Sequence, residues 1–150
     1  MDLGAAGLRG SPAVPDVSVR HLDGDRFLIG IRGHEVLVDQ PIEDGGEDRG
    51  PTPTELFVAG LASCVGFYAE RFMRRHGLEV DGLTVDCDFE MSADRPARVA
   101  AVDLRVRVPA GFREDRLEAL RRVVEHCTVE NSIRQAPLVR LALAMRPQAA

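Results

Sequence analysis

GPTPTELFVAGLASCVGFYAERFMRRHG, Gly50 to Gly77, marks both ends of a helix. Thr52 is an N-cap residue, Pro53 suits the first helical position, and Glu55 follows the cap by three. That is a capping box, in which the Thr52 hydroxyl accepts from the N–H of residue 55 and the Glu55 carboxylate accepts from the N–H of Thr52. At the other end Gly77 suits a left-handed C′ position, with Met73 and Leu78 spaced for the hydrophobic contact of a Schellman motif. From Leu56 to Tyr68 there is no charged side chain. A helix apolar on nearly all sides calls for burial, so the rest of the chain is expected to wrap around it.

The flanking sequence reads as sheet. Val17–Leu22, Arg26–Arg32 and His34–Asp39 are three short strands, with Asp23-Gly24 and Gly33 at the turns. Pro41–Arg49 (PIEDGGEDR) reads as a solvated, mobile acidic loop leading into the helix. After Gly77 the period changes to two. Leu83, Val85, Cys87, Phe89 and Met91 alternate with polar residues, as do Val102, Leu104, Val106 and Val108, and Asp94-Arg95-Pro96 turns the hairpin. A second helix is expected from about Arg113, with Leu117, Leu120, Val124 and Cys127 on one stripe. Pro137 breaks it, and Val139–Met145 alternates again as a closing strand. The order βββ-α-ββ-α-β is an α+β pattern, with sheets segregated from helices, and the rest of the chain is expected around the buried central helix. Residues 1–15, rich in Gly, Ala and Pro, read as a flexible tail before a single domain, 16–150.

Composition narrows the function. The 150 residues carry a net charge of −5, which favours neither nucleic acid nor an anionic membrane. All 19 basic residues are arginine, so Schiff-base lysine chemistry is excluded. Three cysteines, 64, 87 and 127, are too few and too scattered for a disulfide scaffold. No signal peptide or charge-free membrane-spanning run is read, and the expected location is cytoplasmic with reduced thiols. No nucleotide-binding, dinucleotide-binding, hydrolase or metal-ligand motif stands in the chain, so no cofactor or metal is expected.

The thiols remain. Cys64 lies about twelve residues past the cap, roughly 18 Å along the axis, beyond the reach of the helix dipole. From position alone, a free cysteine on an apolar helix is ordinarily a small buried hydrophobe. Cys127 reads similarly, near a helix C-terminus where the dipole would raise its pKa, and Cys87 reads as the core face of a strand. Glu55 is accounted for by the capping box and lies on the opposite side of the helix from Cys64. His76 suits a C-terminal capping role.

Resemblance carries the reading further. Gly50-Pro51-Thr52-Pro53-Thr54-Glu55-Leu56 followed by Ala59-Gly60-Leu61-Ala62-Ser63-Cys64, with His126-Cys127-Thr128-Val129-Glu130-Asn131-Ser132 near the C-terminus, resembles the OsmC/Ohr family. The likeness covers roughly residues 17–145, and the two cysteines stand 63 residues apart, about the family's spacing. It implies an intertwined homodimer with two central helices enclosed by antiparallel sheets. It also implies a thiol-dependent peroxidase for organic hydroperoxides, in which Cys64 attacks, Cys127 resolves, and a small dithiol of the lipoyl type restores the pair. In the Ohr and OsmC branches a Glu ten residues before the first cysteine works with an Arg to activate it. Here that position is Thr54, and Glu55 stands one place later. Arg26, Arg32 and Arg49 are the candidate cations, with Arg26 preferred. The alternative is a non-catalytic redox or small-molecule-binding dimer that keeps the fold and the cysteines without the activating Glu.

Overall fold

The computed structural model describes residues 15–145; the expected tail, apart from Pro15, lies outside them. The chain divides into two compact units, Met1–Glu55 and Leu56–Ala150.

In the first unit β1 (Val17–His21), β2 (Phe27–Ile31) and β3 (His34–Val38) form an antiparallel sheet in that order. Val17 pairs with Ile31, and Phe27 pairs with Val38. The β2–β3 turn has positive φ at both central residues, Arg32 (53°) and Gly33 (96°), as a two-residue hairpin of the primed type requires.

The acidic segment 41–49 is more ordered than expected. It makes a single 3₁₀ turn, Ile42–Asp44, and folds over Asp39. The Asp39 carboxylate is buried and accepts from the backbone N–H groups of Gln40 (2.8 Å), Glu47 (3.2 Å) and Arg49 (3.0 Å). A Cβ on Gly46 would stand 2.0 Å from the Gln40 carbonyl oxygen, and one on Gly50 would stand 2.4 Å from that of Leu37. Both positions therefore demand glycine because backbone passes against backbone.

α1 runs Pro53–Arg75. Its capping box forms as read: the Thr52 N–H donates to Glu55 Oε2 (2.7 Å) and the Glu55 N–H to Thr52 Oγ1 (3.2 Å). Its C-terminus is a Schellman motif, with Gly77 at φ 65°, the Leu78 N–H on the Met73 carbonyl (2.9 Å) and the Gly77 N–H on that of Arg74 (3.2 Å). By length and composition α1 could span a bilayer, a criterion that buried core helices also meet.

In the second unit β4 (Thr84–Met91) and β5 (Val99–Arg107) form an antiparallel hairpin, with Cys87 opposite Leu104. α1 packs one face, not all of its circumference, on this hairpin and the helices that follow. Ala69, Phe72, Met73 and Leu120 form one core with Leu83, Val106 and Val123, while Leu61, Val65 and Cys127 form a second with Val85, Val102 and Leu104. Phe57, at the edge of this face, and Phe67, away from it, are 46% and 54% exposed.

The C-terminal part departs most from the sequence reading. A 3₁₀ turn, Glu114–Arg116, leads into α2 (Leu117–Val124), and α3 (Thr128–Arg134) then starts afresh. Cys127 therefore does not close the second helix but stands at the junction. Residues 136–145 form no strand among the described residues, although the alternation of Val139, Leu141, Leu143 and Met145 predicts one. A strand needs a partner edge, and this segment pairs with none among the described residues.

Candidate active site

The break between α2 and α3 positions Cys127. Its backbone leaves the helical region (φ −57°, ψ 132°), and its Sγ accepts the Glu130 N–H at 3.4 Å, so the thiol is the N-cap of α3. The side chain is 0% exposed. A second tie holds this junction against α1: Tyr68 Oη and Thr128 Oγ1 lie 3.0 Å apart. Tyr68 is one turn beyond Cys64, and Thr128 follows Cys127, so the bridge brings the two cysteine-bearing segments together. Cys64, half-buried, packs against the cluster of Leu61, Val65 and Cys127.

The two thiols interact. Burial is the largest cause raising the Cys127 pKa above its ordinary value, and the neighbouring Cys64 thiol raises it further. The backbone N–H groups of Glu130 and Val129 oppose the rise without overcoming it. Cys127 thus keeps its proton, reversing the reason but not the direction expected from a helix C-terminus. The arrangement is a pair of neighbouring cysteines, one half-buried and the other fully buried.

The remaining candidates have partners of their own. Arg26 belongs to the first unit, where its guanidinium holds Asp23 Oδ1 (Nη2 at 2.5 Å, Nε at 2.6 Å) and Glu47 Oε2 (Nη1 at 3.3 Å). Glu55 is engaged in the capping box, and Thr54 brings no carboxylate. Among the described residues of 56–150 no guanidinium hydrogen-bonds either thiol. Cys87, half-buried on β4, has its pKa raised by burial first and then by Asp88 and Asp103. His76 Nδ1 stands 2.8 Å from the Phe72 carbonyl at the end of α1.

Sequence reasoning missed the cap at Cys127, the Tyr68–Thr128 bridge and an apolar cavity. The cap had a signal: Cys127-Thr128-Val129-Glu130 has capping-box spacing, with a thiol where Ser or Thr usually stands. The cavity, about 380 Å³, is lined by Phe57, Leu61, Val102, Leu104, Ile133 and Glu130 among others. Leu61 also packs in the cluster that holds Cys127. Among the described residues no group of three or more His, Cys, Asp and Glu gathers as a metal site would require.

The fold and the facing thiols define a class: an α+β domain carrying a dithiol between its long helix and its C-terminal helices. The profile of the family described as OsmC-like protein matches residues 45–142, and the chain belongs to that family. Solved structures share the fold. An osmotic stress induced and detoxification response protein from Psychrobacter arcticus superposes with a TM-score of 0.74 at 21% identity, over 81% of this chain and 90% of that one. The organic hydroperoxide resistance protein OsmC from Legionella pneumophila gives 0.62 at 20% identity, over 81% and 91%. An organic hydroperoxide resistance protein from Elizabethkingia anophelis, with crystallant-derived thiocyanate bound, gives 0.63 at 17% identity, over 84% and 93%. No curated protein matches the chain in sequence.

Proposed function

We propose that the protein is a cysteine-based thiol peroxidase for organic hydroperoxides, with Cys64 attacking and Cys127 resolving. The observation that carries this reading is the contact between a half-buried Cys64 and a fully buried Cys127 that keeps its proton. In the first step the Cys64 sulfur attacks the terminal peroxide oxygen. The O–O bond breaks, an S–O bond forms, and the alkoxide leaves as the alcohol after taking a proton. In the second step the Cys127 sulfur displaces the hydroxyl of the Cys64 sulfenic acid, which leaves as water, and an S–S bond forms. A dithiol, lipoyl-type in the family's manner, then reduces the disulfide by two exchanges and is itself oxidised to a disulfide. The apolar cavity beside Leu61 favours an alkyl or aryl hydroperoxide over hydrogen peroxide. Support from relatives is coarser: some are named organic hydroperoxide resistance proteins.

Activation is where the second reading draws its support. Arg26 is held by two acids and Glu55 by the helix N-terminus, so the charges of both are already engaged. A non-catalytic redox or small-molecule-binding role would need no such activation. Turnover of cumene hydroperoxide with a dithiol separates the two. On the peroxidase reading Cys127→Ser consumes one equivalent of peroxide and then over-oxidises, while Cys64→Ser consumes none quickly. Equal behaviour of the two variants refutes it.

The proposed working form is a cytoplasmic homodimer. Leu141, Leu143 and Met145 are 87%, 91% and 96% exposed, in an alternating apolar segment that pairs with no strand among the described residues. A second copy would supply one, together with cover for Phe57 and Phe67. Light scattering should give twice the chain mass at micromolar concentration, and a stable folded monomer would overturn the assembly.

A further inference from the structure

A second cavity, about 320 Å³, lies between α1 and α2 and plays no part in the thiol chemistry above. Its α1 wall is Tyr68, Arg71, Phe72, Arg75 and His76, positions three and four apart on one helix face; Val123 and His126 close it from the α2 side. The lining thus presents two guanidiniums and two imidazoles and no carboxylate. In a chain of net charge −5, that concentration of one sign needs an explanation.

Dipole complementarity at the end of α1 does not explain it fully. Arg74, in the same last turn, meets that demand while pairing with Glu70 at 3.1 Å. Arg71 and Arg75 have no acidic partner among the described residues, and they stand at i and i+4, where like charges repel. Arg71 is also held in place: its Cζ lies 5.5 Å from the Phe67 ring centroid, a cation–π contact that restricts the guanidinium. His76 is fixed by the Phe72 carbonyl, with its ring 4.3 Å from that of Phe72. The donors are therefore partly preorganised around a concavity, and the Phe72 and Tyr68 rings with Val123 add an apolar wall.

We infer that this cavity is a binding site for a small organic carboxylate, its anionic head between Arg71 and Arg75 and its hydrocarbon body against Tyr68, Phe72 and Val123. Two arginines converging on one face suit bidentate recognition of a carboxylate. The apolar wall favours an organic anion over a bare inorganic one. The site touches the dithiol region through Tyr68, whose hydroxyl meets Thr128, and through His126, which precedes Cys127. It does not depend on peroxidase activity.

The test is calorimetric titration of the full reduced chain with octanoate and, separately, inorganic phosphate. Octanoate should bind more tightly than phosphate. Arg71→Gln/Arg75→Gln should weaken octanoate at least about tenfold, as expected for lost charge-assisted hydrogen bonds. The charge-matched control Arg20→Gln/Arg122→Gln, at exposed positions outside the cavity lining, should bind as wild type does. Cys64→Ser/Cys127→Ser should also retain binding, which keeps this result separate from the fate of the peroxidase reading. In NMR the ring protons of His76 and His126 should shift on octanoate addition, and Arg71→Gln/Arg75→Gln should suppress the shift. Equal loss in the control, unchanged binding in the paired variant, phosphate binding as tight as octanoate, or no binding at millimolar octanoate would each overturn the assignment.

Discussion

Substituting Cys127 by Ser and by Ala should separate what this side chain holds together from what it reacts with. In the folded chain its sulfur fills a site with no solvent exposure and caps α3 through the Glu130 N–H. Alanine removes both contributions: a lost N-cap costs about 1 kcal/mol, and the space left by the sulfur about another 1 kcal/mol. Serine keeps an acceptor at the capping position, with the Cys64 sulfur beside it as a partner for the hydroxyl, so only part of the packing is lost. The Ala variant should therefore be destabilised by about 2 kcal/mol and the Ser variant by about half of that. For a chain of this size about 2 kcal/mol corresponds to a Tm lowered by roughly 4–8 °C. Urea or thermal denaturation under reducing conditions measures it. Mass spectrometry of the same proteins after one equivalent of cumene hydroperoxide reads the chemistry. Wild type should carry a Cys64–Cys127 disulfide within one chain, while both variants should stop at a Cys64 sulfenic acid. If Ala is as stable as Ser, the thiol is not an effective cap. If wild type instead joins Cys64 to Cys87, the facing pair has been misassigned.

Further outcomes follow from the same structure. Cys87→Ala should cost about 1 kcal/mol through lost packing opposite Leu104 and leave peroxide consumption unchanged, checked by denaturation and turnover side by side. Gly46→Ala should lower stability by about 1–3 kcal/mol, because a Cβ 2.0 Å from the Gln40 carbonyl forces backbone to move; an unchanged Tm would contradict the close approach. Asp39 makes the first unit acid-sensitive. Burial alone would raise its pKa, but the N–H groups of Arg49, Gln40 and Glu47, with the Arg26 charge, hold it below the usual carboxylate range. A group depressed in this way stabilises the fold above its ordinary pKa of about 3.9, and that contribution disappears as pH falls through the folded value. Asp39→Asn should flatten this part of an acid denaturation profile relative to wild type.

Elements whose signals are local could be read from the chain. The capping box at Thr52 and Glu55, the glycine stop at Gly77, the two β-turns and the period-two runs of β4 and β5 each depend on neighbours within a few residues. What escaped reading depends on contacts between distant ones. Gly46 and Gly50 look like loop glycines until Gln40 and Leu37 are found beside them. Asp39 looks like the polar end of a strand until three N–H groups from later in the chain reach it. Cys127 sits in a stretch without Gly or Pro, so periodicity carried the second helix straight through it, and only the cysteine standing in for Ser or Thr could have signalled the new start. Val139–Met145 shows the converse. Its alternation is genuine strand grammar, but a ladder needs an edge, and alternation says nothing about which chain supplies it.

The three cysteines show what geometry adds to that grammar. By period alone each is an apolar residue on a buried face. Cys87 faces Leu104 across the hairpin, and burial together with Asp88 and Asp103 discourages its thiolate, so it is poorly suited to attack a peroxide. Cys127 is wholly buried and kept protonated, which suits a sulfur that waits for an electrophile already formed within the protein. Cys64 is the only one of the pair that is not fully buried. On the peroxidase reading a bulky hydroperoxide would meet Cys64 first, and the resolving step would bring no new molecule to the buried sulfur. Reversing the roles would require the peroxide to enter behind Leu61 and Val65, which pack in the same cluster as Cys127. On the peroxidase reading the order of attack thus follows from burial. Leu61→Ala, by opening that cluster, should increase direct oxidation of Cys127 in a Cys64→Ser background, measured as sulfinic acid by mass spectrometry. No increase in that variant would show that something other than this packing shields the second thiol.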